Sequence, residues 1–323
     1  MTDGRVSSPL NARLITVSVN GHPEFLFDAM QGQDGLSTLS EYTVRLLHRS
    51  ADLYGDTLLG KALTLRIQTP DAQRYLNGLI ADLRYDGPAS EVDRYHAYTA
   101  VVMPWFWLAD GNKDYRIYQN QSVPEIIKAV LTSYGDAFEF ALVQTYAPRI
   151  YCVQYGESDF AFVSRLLEEE GIHYYFRHEE KRHVLVMSDD VLTHTTVPGY
   201  EQLRYFPEDK LALPQQDYAT GIRSRERHRP GRYATSDYDF KKSRADLHMN
   251  SRIELPHEHS RNEVYEWQGN YDDQELGERY ARQRMQELHH ERNIRTLRST
   301  ARGVTTGALF TLTHCPRTQD NRQ

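Results

Sequence analysis

The sequence predicts an α+β fold that is mainly β, with strand-rich segments on either side of a mixed α/β segment. Three observations predict it. From Leu14 to Leu108 apolar residues recur with a period of two; between Asp110 and Tyr200 that period twice gives way to helical spacing; beyond Pro207 short alternating runs return around one long helical stretch.

In the first segment Ile15, Val17 and Val19 alternate with polar residues up to Asn20-Gly21, a dipeptide that tolerates the positive φ of a hairpin turn. Tyr42, Val44 and Leu46 repeat the pattern, as do Leu63, Leu65 and Ile67. Asn77-Gly78 punctuates the chain before Leu79, Ala81, Leu83 and Tyr85, and the whole reads as an antiparallel barrel or sandwich. Gly111-Asn112 marks a break, after which Ile126, Ile127, Val130 and Leu131 fall on one helical face that ends at Gly135. The next helix opens at Ser158, whose hydroxyl suits the free backbone N–H groups of a first turn, with Asp159 at the positive end of the dipole. Phe162, Val163, Leu166 and Leu167 share its apolar face, and Gly171 stands where a left-handed residue ends a helix. The period then returns to two. Ile172, Tyr174 and Phe176 lie on one side of a strand, the polar run His178 to Arg182 turns the chain, and Val184 to Met187 form the second strand. Pro207 and Pro214 lead into strands between Ile222 and Leu255. A helix on which Leu276, Tyr280, Arg284 and Leu288 recur comes next, then strands at Asn293 to Thr300 and Ala308 to Thr313.

Composition narrows the function. A formal charge of −7 argues against a general nucleic-acid binder, which needs a basic surface to neutralise phosphates. No apolar run is long enough to span a bilayer, so stable membrane insertion is not expected. The opening Met-Thr-Asp-Gly-Arg has no signal-peptide character, and the expectation is a chain that matures in the cytoplasm. Cys152 and Cys315 alone make no disulfide framework. The 22 tyrosines suit wide subunit contacts, and a sheet-rich core would use them equally.

The candidate chemistry is thin. His178-Glu-Glu-Lys-Arg-His183 resembles a helical zinc box, but its histidines are five apart, not four, and fall in a turn between strands, so a polar hairpin tip is expected. His257 and His259 would share a strand face but lack a third ligand, which favours a solvated loop; no metal or other cofactor is expected. Glu168, Glu169 and Glu170 invite comparison with glycosidase carboxylates. Successive helix positions point about 100° apart, so the three do not converge on one substrate. Their charges oppose the dipole of the helix they end, which leaves two readings: an ion-pair network with Arg165 and Arg177, or a docking surface for a basic partner. Arg223, Arg225, Arg227, Arg229 and Arg232 are interrupted by Glu226 and read as a charged surface segment or, second, as an inter-subunit salt-bridge strip. Trp105 and Trp107 at strand spacing would share one face, as a carbohydrate platform or, more often, as core or interface. No P-loop, dinucleotide fingerprint or nucleophile elbow is present. The chain is not expected to be an enzyme.

The stretch from Glu157 to Asp189, with its Leu-Leu-Glu-Glu-Glu-Gly-Ile-His-Tyr-Tyr-Phe core, closely resembles a signature of the VgrG family, spike proteins of type VI secretion systems related to contractile-phage baseplate hubs. Ser122-Val-Pro-Glu-Ile-Ile-Lys-Ala-Val-Leu is similar to the preceding helix of that family. Tyr265-Glu-Trp-Gln-Gly-Asn-Tyr, with Arg279 and Arg284 beyond it, resembles its later Tyr-rich region. Gly307 to His314 is similar to the passage into an OB-fold, although His314-Cys315-Pro316 stands where many members have His-Pro. The resemblance implies two antiparallel β-barrel-like hub domains, at 1–109 and 206–313, flanking an α/β domain at 110–205, with 314–323 starting the connection to an OB-fold and needle. It further implies a homotrimer with pseudo-sixfold symmetry that caps a hexameric, Hcp-like tube. Such a spike stays in the cytoplasm until firing, is then secreted or injected, and helps puncture target membranes and deliver effectors. Contacts with a tip protein and effectors would lie in parts beyond Gln323, so the expectation is a hub fragment or a short member. The alternatives are a contractile-phage baseplate hub and a peptidoglycan or metal-dependent hydrolase built on the same hub.

Overall fold

The computed structural model describes residues 14–321 except 21–23, 54, 71, 91–93, 208–215 and 257. Three successive regions carry the expected mainly β character. The first contains β1 (Ile15–Val19), β2 (Leu26–Gln33), β3 (Glu41–His48), a four-residue α1 (Gly55–Leu58), β4 (Ala62–Gln68), β5 (Gln73–Ser90) and β6 (Tyr95–Met103). They form one six-stranded antiparallel sheet in the order β1-β4-β5-β6-β3-β2. Val17, Val44, Leu46, Leu63, Leu65 and Tyr98 fill its apolar face, as strand alternation requires.

Two expectations fail here. Asn20 has φ 48°, but β1 pairs with β4 and stands at the far end of the order from β2, so no β1–β2 hairpin ladder forms; Gly21 lies outside the described residues. Asn77-Gly78 lies inside the long β5 and is no turn, because Asn77 finds its hydrogen bonds across the sheet and in the neighbouring region. The buried apolar side chains of β5 are Leu76 and Ile80, and a register shift between Ile80 and Asp82 displaces the alternation expected from Leu79 to Tyr85.

Trp105–Gly111 is a 3-10 turn, which buries Trp105 and Phe106 together and removes the shared-face indole pair expected of a strand. The middle region continues with β7 (Lys113–Tyr118), α2 (Val123–Leu131), β8 (Phe138–Ala141), β9 (Cys152–Ser158), α3 (Asp159–Glu169), β10 (His173–His178) and β11 (His183–Ser188). Ser122 and Glu125 form a capping box on α2, with Pro124 in its first turn. Ser158 caps α3 by accepting from the backbone N–H of Ala161 at 3.1 Å. Phe162, Val163, Leu166 and Leu167 are buried as their spacing predicts, against Ile126, Ile127, Phe106 and the β10–β11 hairpin. β8 joins that hairpin in parallel on its β11 side, while β7 and β9 pair separately.

The last region holds β12 (Thr195–Thr196), β13 (Gln202–Arg204), β14 (Ala219–Glu226), β15 (Arg232–Ser236), β16 (His248–Arg252), β17 (Glu263–Trp267), α4 (Gln274–His289), β18 (Asn293–Ser299), β19 (Ala308–Leu309) and β20 (Thr311–Thr313). β14 pairs with β18, and β15 lies between β16 and β17. β12 and β13 accept β19 and β20 in parallel, so the chain's last strands return to its middle. α4 buries the stripe Gly277, Ala281 and Met285; Leu276, Tyr280 and Leu288 are only partly buried beside it. Gly277 and Ala281 let the helix sit close on β15 and β16: a Cβ at Gly277 would meet Met249 of β16 at 2.8 Å.

Side chains fasten the regions to each other. Asn77 donates through Nδ2 to the carbonyls of Glu179 at 2.6 Å and Arg182 at 3.0 Å, and its backbone N–H donates to His178 Nδ1 at 3.0 Å. The backbone N–H of Trp105 donates to His183 Nε2 at 2.7 Å. The polar hairpin tip is therefore engaged at both histidines, with His183 buried and His178 half-buried. Arg74 donates to the carbonyl of Arg302 at 2.9 Å, and Arg302 donates to that of Gln68 at 3.1 Å.

Candidate functional site

The acidic end of α3 forms one wall of a cleft that has a volume of about 1380 Å³ and separates the middle region from β17 and α4. Gly171, with φ 69°, stops the helix in the left-handed conformation expected of it. The three glutamates before it part ways, as their angular spacing requires. Glu168 is exposed, Glu169 is half-buried and Glu170 is buried.

Glu170 Oε1 accepts from Arg149 Nη2 at 2.6 Å, and Oε2 accepts from Arg279 Nη2. Its carbonyl accepts from Gln283 Nε2 at 2.5 Å, so α4 supplies both a charge and a cap to the end of α3. Glu169 accepts from Arg149 at 2.6 Å and from Arg165 at 3.0 Å; Arg165 in turn pairs with Glu157 at 2.6 Å. Alternating charges thus run Glu157, Arg165, Glu169, Arg149, Glu170, Arg279. Burial opposes the charge on Arg149, but Glu170 and Glu169 outweigh it and raise the guanidinium above its usual value. On Arg165 the bond to Glu157 leads, with the same result. Burial and then the Glu170 charge raise the Tyr280 hydroxyl. Arg279 also lies 5.2 Å from the Tyr146 ring centre and 5.5 Å from that of Tyr280.

This arrangement neutralises carboxylates and does not poise them. Guanidinium groups take both Glu169 and Glu170, leaving Glu168 as the member of the trio free to meet a partner from outside. The sequence identified Arg165 as one counter-ion and missed Arg149, Arg279 and Gln283. Acid at the negative end of a helix was the available signal that such cations had to exist. Arg177, the other expected counter-ion, turns to Glu139 and Glu179.

The remaining candidates lie apart. His178 and His183 face each other across the β10–β11 register, His178 engaged by the backbone N–H of Asn77 on β5 and His183 by that of Trp105 in the 3-10 turn after β6. His257 lies outside the described residues, and His259 sits in a 3-10 turn with its ring 6.0 Å from that of His228. Among the described residues no group of three or more His, Cys, Asp and Glu could hold a metal ion. Arg227 and Arg229 share Glu291, while Arg223 and Arg225 are exposed on β14. No helix among the described residues is long and apolar enough to cross a membrane.

The model of the phage tail baseplate hub family matches residues 33–323. The type VI secretion system spike protein VgrG1a of Pseudomonas aeruginosa is 37% identical over 96% of this chain and 48% of its own length. The chain belongs to the phage tail baseplate hub family, and it is similar to the VgrG spike proteins along nearly its whole length. VgrG1c of the same organism is 35% identical over 97% of the hub chain and 43% of the relative. The hub chain therefore spans about half the length of the curated relatives it matches. Among solved structures, the Escherichia coli c3393 protein, a type VI secretion component described as similar to the T4 tail proteins gp27 and gp5, superposes with a TM-score of 0.64 at 22% identity. That match covers 93% of the hub chain and 68% of c3393. The 43 kDa tail protein of prophage MuSo2 from Shewanella oneidensis gives 0.61 at 13% identity, over 93% of the hub chain and 88% of the tail protein. These two likenesses establish the tail-hub fold.

Proposed function

We propose that this chain is the hub of a type VI secretion spike: a non-catalytic structural trimer that caps a hexameric tube and is driven out of the cell with it. The observation that carries the reading is the 37% identity to a spike protein along 96% of the chain. The cleft supports it, because its buried charges are spent on joining regions. A hub that transmits force needs its parts coupled by groups that cannot separate without exposing unpaired charge.

In this reading the first sheet is one barrel-like domain and β14 to β18 with α4 belong to the other, with the α/β region between them. The approach of the edge strands β1 and β2 supports the first assignment. Three chains then present six such domains to the sixfold tube at one end and threefold symmetry to the needle at the other. Puncture of the target membrane and delivery of effectors belong to the whole spike, of which this chain is the hub. Glu168, at the rim of the cleft beside the Glu169 and Glu170 network, is the docking point for a basic patch on the tube ring.

The test is sedimentation of the purified chain with preassembled hexameric tube rings. Co-sedimentation is expected for the unaltered protein, with at least tenfold weaker binding for Glu168→Lys and an unchanged melting curve. Equal binding by the two proteins would remove Glu168 from the interface, and no binding by either would count against tube capping.

A further inference from the structure

His173 and His194, both half-buried, meet edge to edge where the last strands join the middle region. His173 opens β10, and His194 stands immediately before β12. Their Nε2 atoms lie 2.8 Å apart, with the ring planes inclined by only 12° and the ring centres 5.0 Å apart. Two ring radii added to the 2.8 Å contact give that separation, so the rings are nearly coplanar and the two nitrogens point at each other. The other nitrogen of His194, Nδ1, lies 2.7 Å from the Gly307 carbonyl oxygen. A carbonyl can only accept, so Nδ1 carries a proton, and in the neutral ring Nε2 accepts from His173 Nε2–H. The spacing suits this bond and not a shared metal ion, since two zinc–nitrogen bonds end to end need about 4 Å.

The pair fastens a strap. Thr195 pairs with Ala308 and Thr196 with Leu309 in a parallel ladder too short to hold alone, and the imidazole bond to Gly307 extends it by one position. Gly307, with φ 77°, lies against the Tyr175 ring, where a Cβ would come within 2.4 Å of Cδ2, and the same ring is centred 5.2 Å from that of His194. The other end of the strap is fastened differently. There the backbone N–H of Arg302 donates to Asp217 at 3.1 Å, and the Arg302 side chain and carbonyl bond to Gln68 and Arg74. The Gly307 end depends on imidazoles, and these tolerate one extra proton but not two. The first is shared between the facing Nε2 atoms while His173 carries another on Nδ1. The second puts an N–H on each facing nitrogen, and two donors of like charge cannot stay 2.8 Å apart. We infer that His173 and His194 form a proton-operated latch, which holds the 303–309 strap against the middle region and releases it when the pair takes up its second extra proton. Burial and then the charge of His194 oppose protonation of His173, whereas Asp189, just past β11, favours it. Asp189 is itself engaged by the backbone N–H groups of Val143 and Gln144 and by the Tyr146 hydroxyl. From β10 the Tyr175 ring faces His194, and the strap presents the Gly307 carbonyl. An imidazole held below its ordinary value stabilises the closed state fully above about 6.5 and loses that contribution as pH falls further.

The experiment is native-state hydrogen exchange on the complete chain, read as protection factors for residues 195–196 and 305–309 with the β3–β6 ladder as internal reference. Between about pH 8 and about pH 5 the unaltered chain should lose about tenfold or more of that protection relative to the reference. The decisive variant is His173→Gln. Its amide oxygen accepts from His194 Nε2–H but takes up no proton, so protection in this variant should stay constant over the same range. Equal pH dependence in the two proteins, or none in the unaltered chain, overturns the latch. His194→Ala removes the bond to Gly307 and should leave the strap open at both ends of the range; protection matching that of the unaltered chain at neutral pH would overturn it too. Nitrogen NMR of the histidine-labelled, unaltered chain supplies a reading that needs no folded variant. The pair is expected to take up its two extra protons in separate steps, and independent titration of both rings at the ordinary imidazole value counts decisively against the latch.

Discussion

Glu170 carries two guanidinium groups at a helix end whose dipole would otherwise repel it. Replacing it with glutamine leaves Arg149 and Arg279 half-buried beside an uncharged acceptor. The urea midpoint should fall by an amount equivalent to about 3 kcal/mol. Glu168→Gln, two positions earlier and exposed, should leave the midpoint unchanged. The buried histidines give a second test. Burial holds His178 down to about 4 and His183 to about 3, and the ring nitrogens that meet the backbone N–H groups of Asn77 and Trp105 act as acceptors. His178 faces Arg74 from β5 and Tyr42 from β3, with Glu179 and Arg182 on its own hairpin; His183 faces Trp105, Phe176 and His178. The unfolded chain takes up these protons near 6.5, the ordinary value for an imidazole, so the stability they contribute is complete above it and is lost as pH falls towards 4. For His178 the loss at the acid end is roughly 3 kcal/mol. Asparagine places an acceptor where Nδ1 stood and glutamine one where Nε2 stood. Thermal melts of a His178→Asn, His183→Gln double variant should therefore fold normally at neutral pH and show a flatter dependence between pH 6.5 and 4.

At the scale of an element, α3 organises the middle region. Its fully buried Leu166 packs among Phe162, Ile126 and the β10–β11 hairpin, so Leu166→Ala should leave a cavity and cost about 2–5 kcal/mol in chemical denaturation. Its cap is a smaller lever: Ser158→Ala should cost about 1 kcal/mol. Glu169→Ala removes partly exposed pairs to Arg149 and Arg165 and should cost less than about 1 kcal/mol. If Leu166→Ala proved as mild as Glu169→Ala, the helix would not be the core element that its burial indicates.

Across the whole molecule, coupling between regions rests on few side chains. Arg279 and Gln283 of α4 grip the end of α3, Arg74 and Arg302 exchange bonds with each other's loops, and Asn77 holds the hairpin tip. Arg279→Ala should loosen the last region from the middle one without dismantling either. Calorimetry is expected to show two transitions in the variant against one in the unaltered chain, and hydrogen exchange should rise at residues 169–171 and 274–285 while the β3–β6 ladder keeps its protection. One sharp transition in the variant would show that packing alone couples the regions.

The three longer helices, the Ser158 and Gly171 ends of α3, the strand periods of the first sheet and the resemblance of the Glu157–Asp189 stretch to a hub signature could all be read from neighbouring residues, because each depends on spacing within one turn or one strand. Pairing partners could not. β1 lies against β4 and not β2, Asn77-Gly78 runs straight through β5, and the β5 alternation shifts at a bulge, since strand order and register depend on contacts between residues far apart in sequence. The tryptophan pair turned out to lie in a 3-10 turn because burying Trp105 and Phe106 against α3 outweighed their strand-like spacing. For the glutamate trio the sequence determined that three charges opposed a helix dipole and pointed in different directions. Only the tertiary structure decided which were neutralised, because Arg149 and Arg279 reach Glu170 from segments that local pattern does not connect to it.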